Sequence, residues 1–135
     1  MSIIFKIKDC MTINKNIYKN SLYLSMKLRL ETGSVKLRLL REEMARLDSD
    51  KSIAEKIQID ANNTFTYIVS IVTIGDSCLM EFSDATLHVS IPSNKATKWL
   101  QSNQVGIRET IVTENKENIL LVIEEDLPPR QKNNK

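Results

Sequence analysis

Glycine and proline are scarce in this chain, three of each in 135 residues, and tryptophan and histidine occur once each. So few glycines leave no glycine-rich loop to wrap a phosphate, because Gly33, Gly75 and Gly106 stand far apart. A lone histidine, His88, excludes paired imidazoles as metal ligands. The two cysteines, Cys10 and Cys78, form neither a CxxC pair nor a disulfide framework. The simplest reading is two free thiols in a reducing cytoplasm. No apolar run approaches the ~20 residues that a membrane helix needs. Lys6, Lys8 and Asp9 break up Ser2-Ile3-Ile4-Phe5 before a signal-peptide core can form. The absences point to a cytoplasmic protein with no metal site, no cofactor and no catalytic constellation.

What is present suits one globular domain. The hydrophobic fraction is 41% and the charged fraction 27%, ordinary values for a chain that buries a core without staples. The formal charge of +2 is uneven. Residues 1–25 carry Lys6, Lys8, Lys15 and Lys19 against Asp9, and residues 129–135 carry Arg130, Lys132 and Lys135 with no acid. The middle is therefore acidic on balance, which argues against a nucleic-acid binder, whose basic footprint belongs on the folded domain.

Residues 1–25 show no sustained period and read as an N-terminal extension. Either they lie upstream of a true start at Met26, or they pair with a sheet edge or fold as a short helix. From Met26 onward the alternation Met26-Lys27-Leu28-Arg29-Leu30 marks a half-buried strand. A repeat then emerges at a gapless offset of 52 residues: Leu28 falls on Met80, Leu37 on Val89, Met44 on Ala96, Leu47 on Trp99, Ile53 on Val105 and Val69 on Leu121. Each copy, 26–74 and 78–126, reads as strand, tight turn, strand, short helix, strand, strand. Gly33 and Asp84 suit the turns. Leu40, Met44 and Leu47 share one helical face, as do Pro92, Ala96 and Trp99, with Pro92 in the first helical turn.

The expected fold is α+β: a duplicated β-β-α-β-β unit with pseudo-two-fold symmetry, about eight strands and two short helices. The strands form either a barrel-like closure or an open, mostly antiparallel sheet. The runs Ile68-Val69 and Ile119 through Ile123 lack alternation, so the last strands are buried on both faces, at a sheet centre, under the helices or in a homodimer. Residues 26–127 form the domain. Pro128-Pro129 and the polar run after them read as a disordered tail.

Several segments carry a resemblance. Met26-Lys27-Leu28-Arg29-Leu30, Val35 through Glu43, Leu87-His88-Val89-Ser90-Ile91-Pro92, Lys98-Trp99 and Gln104-Val105-Gly106-Ile107 resemble a family of small, uncharacterised bacterial proteins, a domain of unknown function. The likeness covers about 26–127, and its motifs look structural. It implies a start at the equivalent of Met26 and supplies no activity. Val122-Ile123-Glu124-Glu125-Asp126-Leu127 stands where the family typically ends, and Pro128-Pro129 then diverges from it.

One candidate site stands out, the basic face of the first hairpin. Lys27, Arg29, Lys36 and Arg38 point away from the apolar face, and Arg41 follows; together they could hold a phosphate or an acidic partner. The plainer reading is a solvated face that protects the sheet from edge pairing. His88, with Glu81 across the second hairpin as its nearest partner, lacks a constellation for catalysis. Cys78 reads as a buried thiol and Trp99 as core. Gly106 reads as a bulge or a close backbone approach. Glu42 and Glu43 read as first-turn acids, with Arg46 pairing Glu42, and Glu124-Glu125-Asp126 as a solvated strand end. The leading expectation is a non-enzymatic binding or assembly module, with a homodimer allowed. A phosphate-ligand or nucleic-acid-associated regulator on the basic face is the alternative. An enzyme comes last and requires a pocket joining His88, Glu81 and Cys78.

Overall fold

A computed structural model of the chain describes residues 2–5 and 26–127, and the structural statements below concern those residues. Cys10, most of the N-terminal extension and the polar tail after Leu127 lie outside them. The elements are β1 (Ser2–Phe5), β2 (Lys27–Glu31), β3 (Ser34–Leu39), α1 (Arg41–Asp50), β4 (Ser52–Asp60), β5 (Asn63–Val72), β6 (Leu79–Ser83), β7 (Thr86–Pro92), α2 (Ser93–Leu100), β8 (Gly106–Val112) and β9 (Asn118–Glu125). After β1, the order β-β-α-β-β occurs twice.

Local chemistry explains the boundaries. The first hairpin turns at Gly33 with φ 81°, the second at Asp84 and Ala85 with φ 51° and 56°, so both turns use left-handed backbone. Helix α1 stops where Lys51 adopts φ 68° and its N–H bonds to the Leu47 carbonyl at 2.9 Å. Helix α2 begins after Pro92, which is its N-cap in extended conformation and not a residue of the first turn. Pro92 instead ends β7, where no further ladder donor is needed.

The strands make two open mixed sheets and no closed barrel. One has the order β4-β5-β7-β6; the other is β2-β3-β9-β8, with β1 added antiparallel on the outer edge of β2. Each hairpin of one half pairs with a hairpin of the other half through a central parallel pair, β3 with β9 and β5 with β7. Central strands lie between neighbours and under packed faces, which is why β9 buries Leu121, Val122 and Ile123 in succession. Central β5 differs: Tyr67 and Val69 are buried but Ile68 and Ile71 are half-buried, so the expected burial on both faces is met at Leu121–Ile123 and not at Ile68-Val69.

One core joins both sheets and both helices. It takes Leu28, Leu37 and Leu39 from β2 and β3, Tyr67 and Val69 from β5, Val89 and Ile91 from β7, and Leu121 and Ile123 from β9. Met44 and Leu47 of α1 and Ala96 and Trp99 of α2 complete it. Such a cluster is the main stabilising term, at about 25 cal/mol per Å² of apolar surface removed from water.

Positions matched by the gapless offset agree in burial only through the helices. Leu28↔Leu37 in the first hairpin corresponds to Met80↔Val89 in the second, and Leu47 corresponds to Trp99, both buried. Beyond α2, however, Ile107 is buried and Val105 is 61% exposed. Ile53, buried opposite Val69, therefore corresponds to Ile107, buried opposite Ile123, and not to Val105. Helix α2 has 8 residues against 10 in α1, and the loop after it runs over 101–105 where a single residue, Lys51, joins α1 to β4, so the alignment shifts by two. With that shift the central registers agree as well: Val35↔Leu121 corresponds to Tyr67↔Leu87.

Candidate functional site

The basic face of the first hairpin exists, and acidic groups from the end of β9 meet it. Lys27 pairs with Asp126 at 2.9 Å, Arg38 with Glu124 at 2.9 Å, and Arg41 with Glu125 at 2.9 Å. Lys36 approaches Glu124 at 3.9 Å, and Arg29 pairs with Glu31 at 3.0 Å. The parallel pairing of β3 with β9 produces this arrangement, because it sets Arg38 opposite Glu124. Glu124-Glu125-Asp126 is therefore the counter-charge of the hairpin and not merely a solvated strand end. Each exposed pair contributes little to stability, about 0–1 kcal/mol, but together they neutralise the patch.

The residues that an enzyme reading needs are separated. His88 stands on the outer face of its sheet, opposite Glu81, and its Nε2 lies 3.0 Å from the Ser70 hydroxyl. Ser70 in turn meets Ser52 at 3.0 Å. Among the described residues no carboxylate bonds the imidazole, so a nucleophile–base–acid relay lacks its third member. Cys78 lies in the core, 2% exposed, on the other side of the sheet. Burial, with help from the Glu109 carboxylate, pushes its thiol up to about 12, where it is inert as a nucleophile at neutral pH. Trp99 is buried and donates its indole N–H to the Val105 carbonyl at 3.1 Å.

Two inner polar clusters occupy corresponding positions. In the second half Lys95 Nζ is 2.8 Å from Glu109, whose other oxygen accepts the Cys78 N–H at 3.1 Å. The hydrogen bond to Glu109 raises Lys95. Burial pushes Glu109 upward, but its bonds to Lys95 and Cys78 prevail and hold it below the usual carboxylate range. In the first half Glu43 stands where Lys95 stands, and Glu55 where Glu109 stands. Glu43 is 1% exposed. One of its oxygens accepts the Leu40 N–H at 2.9 Å, and Oε2 has no partner. Burial, opposed by that hydrogen bond and reinforced by the Glu55 charge, raises its carboxyl to about 8. Nearby, Tyr67 donates its hydroxyl to the Met26 carbonyl at 2.5 Å, and burial raises its phenol. Glu43 is thus a buried cap and not an exposed first-turn acid, and no Glu42–Arg46 ion pair forms among the described residues. Sequence spacing allowed both readings of Glu43. The clue to burial was its spacing, three residues after Leu40 and four before Leu47, which puts it on the inner helical face.

Two concave regions went unread in the sequence. A groove of about 1000 Å³ lies between the β6 and β8 edges, lined by Leu79, Phe82, Leu87, Ile111 and Val112, with Glu81 and Glu114 at its polar margin. Leu79, Phe82 and Val112 are 58%, 63% and 63% exposed. Among the described residues no lysine or arginine lines it. A smaller pocket of about 210 Å³ is bounded by Lys95, Lys98, Gln104, Gly106 and Arg108. Gly106 is needed there because a Cβ would come within 2.4 Å of the Ile123 carbonyl, the close approach that its sequence position suggested. Neither region was legible, because each joins strands that are distant in the chain.

Among the described residues no group of histidine, cysteine, aspartate or glutamate could hold a metal ion, and no helix is long and apolar enough to cross a membrane. No curated protein and no solved structure matches the chain. A family model described as "Family of unknown function (DUF7009)" matches residues 26–134. The match takes in β2 through β9, both helices and both concave regions, and the chain belongs to that family.

Proposed function

We propose that the chain is a non-enzymatic binding or assembly module whose working surface is the groove between β6 and β8. One observation carries this reading. Large apolar side chains, Leu79, Phe82 and Val112, lie exposed around a single concavity, and an exposed apolar concentration of that kind marks an interaction site. The cations of the basic hairpin, in contrast, are committed to pairs with Glu31, Glu124, Glu125 and Asp126. A second copy of the chain is one partner that the groove could take. The same reading treats 26–74 and 78–126 as two copies of one β-β-α-β-β unit related by a pseudo-two-fold, which the matching registers support. It also places the protein in the cytoplasm, in keeping with a buried free thiol at Cys78.

The alternative, a phosphate-ligand or nucleic-acid-associated regulator acting through Lys27, Arg29, Lys36, Arg38 and Arg41, has less support. An anion there must compete with Glu124, Glu125 and Asp126. Native mass spectrometry of the full chain tests the two readings together. A retained protein subunit that is lost on Phe82→Asp supports the groove. A retained anionic ligand that is lost on Lys36→Ala with Arg38→Ala would replace that reading with the other.

A further inference from the structure

Strands β2 and β6 occupy corresponding places. Each begins a β-β-α-β-β run, and each pairs antiparallel with the strand that follows it. They differ at the outer edge. Strand β1 lies antiparallel on β2, with Ile3 opposite Leu30 and Phe5 opposite Leu28. Strand β6 is the last strand of its sheet, with no strand on its outer side among the described residues. Burial follows the same contrast. Leu28 is 0% exposed whereas Met80, its counterpart, is half-buried; Leu30 is half-buried whereas Phe82 is 63% exposed.

An unpaired edge offers a row of backbone donors and acceptors, and proteins usually blunt such edges with lysine or proline. The sequence of β6, Leu-Met-Glu-Phe-Ser, contains neither. Its charge is instead negative: Glu81 on the strand, Asp84 at the hairpin turn and Glu114 across the groove are exposed. The β2 edge carries Lys27 and Arg29. Those cations are already paired, Lys27 with Asp126 and Arg29 with Glu31, whereas the acidic residues beside β6 are exposed.

We propose that the β6 edge is a strand-docking site for a partner protein, one that offers an extended apolar segment flanked by lysine or arginine. This rests on the groove reading above and adds its geometry. The incoming segment runs antiparallel to β6 and occupies the place that β1 holds on β2. Backbone pairing supplies the affinity, and alternate side chains enter the groove beside Phe82, Ile111 and Val112. The acidic margin selects the basic flanks. A segment of this chemistry occurs in the chain itself, Ser2-Ile3-Ile4-Phe5-Lys6-Ile7-Lys8, which makes it the natural probe.

The experiment titrates a synthetic peptide of residues 2–8 into the isotopically labelled full chain and follows amide shifts and hydrogen exchange. The expected result is saturable shifts at Ile111 and Val112 with slowed exchange across Leu79–Ser83. Phe82→Lys should weaken binding by roughly ten-fold or more, and Glu81→Lys should weaken it several-fold and reduce its salt sensitivity. Both side chains are exposed, so the fold survives, and fluorescence of buried Trp99 verifies this. Slowed exchange confined to Lys27–Glu31 would mean that the peptide merely replaces β1, and would overturn the proposal. Groove shifts without slower exchange in β6 would overturn strand pairing yet keep the groove reading. Silence at both places with millimolar peptide overturns strand docking, and the groove reading is then judged separately by the subunit retained in the native mass experiment.

Discussion

In the second half of the molecule a lysine and a glutamate, Lys95 and Glu109, neutralise each other beside Cys78. At the corresponding places in the first half stand two carboxyls, Glu43 and Glu55, with Tyr67 capping the Met26 carbonyl. The two halves share the element order β-β-α-β-β and the pairing of their central strands, but helix and loop lengths differ, and so does the chemistry of these side chains. An ion pair balances charge in one half, and a retained proton does so in the other. Burial differs as well: Glu43 is 1% exposed, whereas Lys95 and Glu109 are half-buried and remain charged beside each other.

The helices show the same freedom in their volumes. Helix α1 fills its share of the core with Met44 and Leu47, and α2 fills the corresponding share with Ala96 and Trp99. A medium pair and a small-plus-large pair occupy equivalent places. Breaking this balance gives the largest effect. Trp99→Leu, which copies α1 at one position only, removes ring volume and the bond to the Val105 carbonyl. It should cost about 2–4 kcal/mol in urea unfolding. Adding Ala96→Met copies α1 at both positions and should recover part of that loss. A double variant no more stable than Trp99→Leu alone would show that the two helices do not share one packing solution.

Much of this was readable from sequence, and the failures are instructive. Alternation over Met26–Leu30 and Val35–Leu39 located the first hairpin, and the change of period at Leu40 located α1, because those patterns are local. The offset of 52 sets buried Leu47 against buried Trp99, but it also sets buried Ile53 against exposed Val105. Val105 and Ile107 are both apolar, and only burial decides which of them faces the core. Pairing between halves was out of reach, since no local pattern announces that β3 will lie beside β9. That pairing brings Glu124, Glu125 and Asp126 to the basic hairpin, and it also opens the groove. The candidate cations were thus identified correctly as neighbours, while their counter-ions were not.

Titration separates the two clusters next. Glu43, raised to about 8 in the fold, binds its proton more tightly folded than unfolded. Its contribution is fully present below the unfolded value of 4.5 and is lost as pH rises toward 8. Across that window unfolding free energy should fall with a slope of at most ~1.4 kcal/mol per pH unit from this one group. Glu43→Gln keeps an oxygen for the Leu40 N–H and cannot ionise, so it should flatten the slope and be the more stable form at pH 8. Glu109, held low by Lys95 and the Cys78 N–H, works in the opposite sense: its contribution is present above the ordinary carboxylate value and is lost as pH falls through its lowered one. Denaturant midpoints measured from pH 4 to pH 9 resolve the two, and an unchanged slope in Glu43→Gln would remove the proton from the first cluster.

The smallest effect lies in the turns. Gly33 and Ala85 occupy corresponding second turn positions, and both have positive φ, 81° and 56°. Glycine reaches that region freely, whereas an alanine methyl there costs roughly 1 kcal/mol. No atom would lie within 4 Å of a Cβ on Gly33, so Gly33→Ala isolates the backbone cost from any steric clash. It should destabilise by about 0.5–1 kcal/mol, and Ala85→Gly should stabilise by a similar or smaller amount, because added freedom in the unfolded chain offsets part of the gain. Thermal unfolding of the two single variants and the double exchange checks this. Since the turns lie on separate hairpins, the two effects should add in the double exchange, and a shortfall would mean that the hairpins sense each other through the shared core.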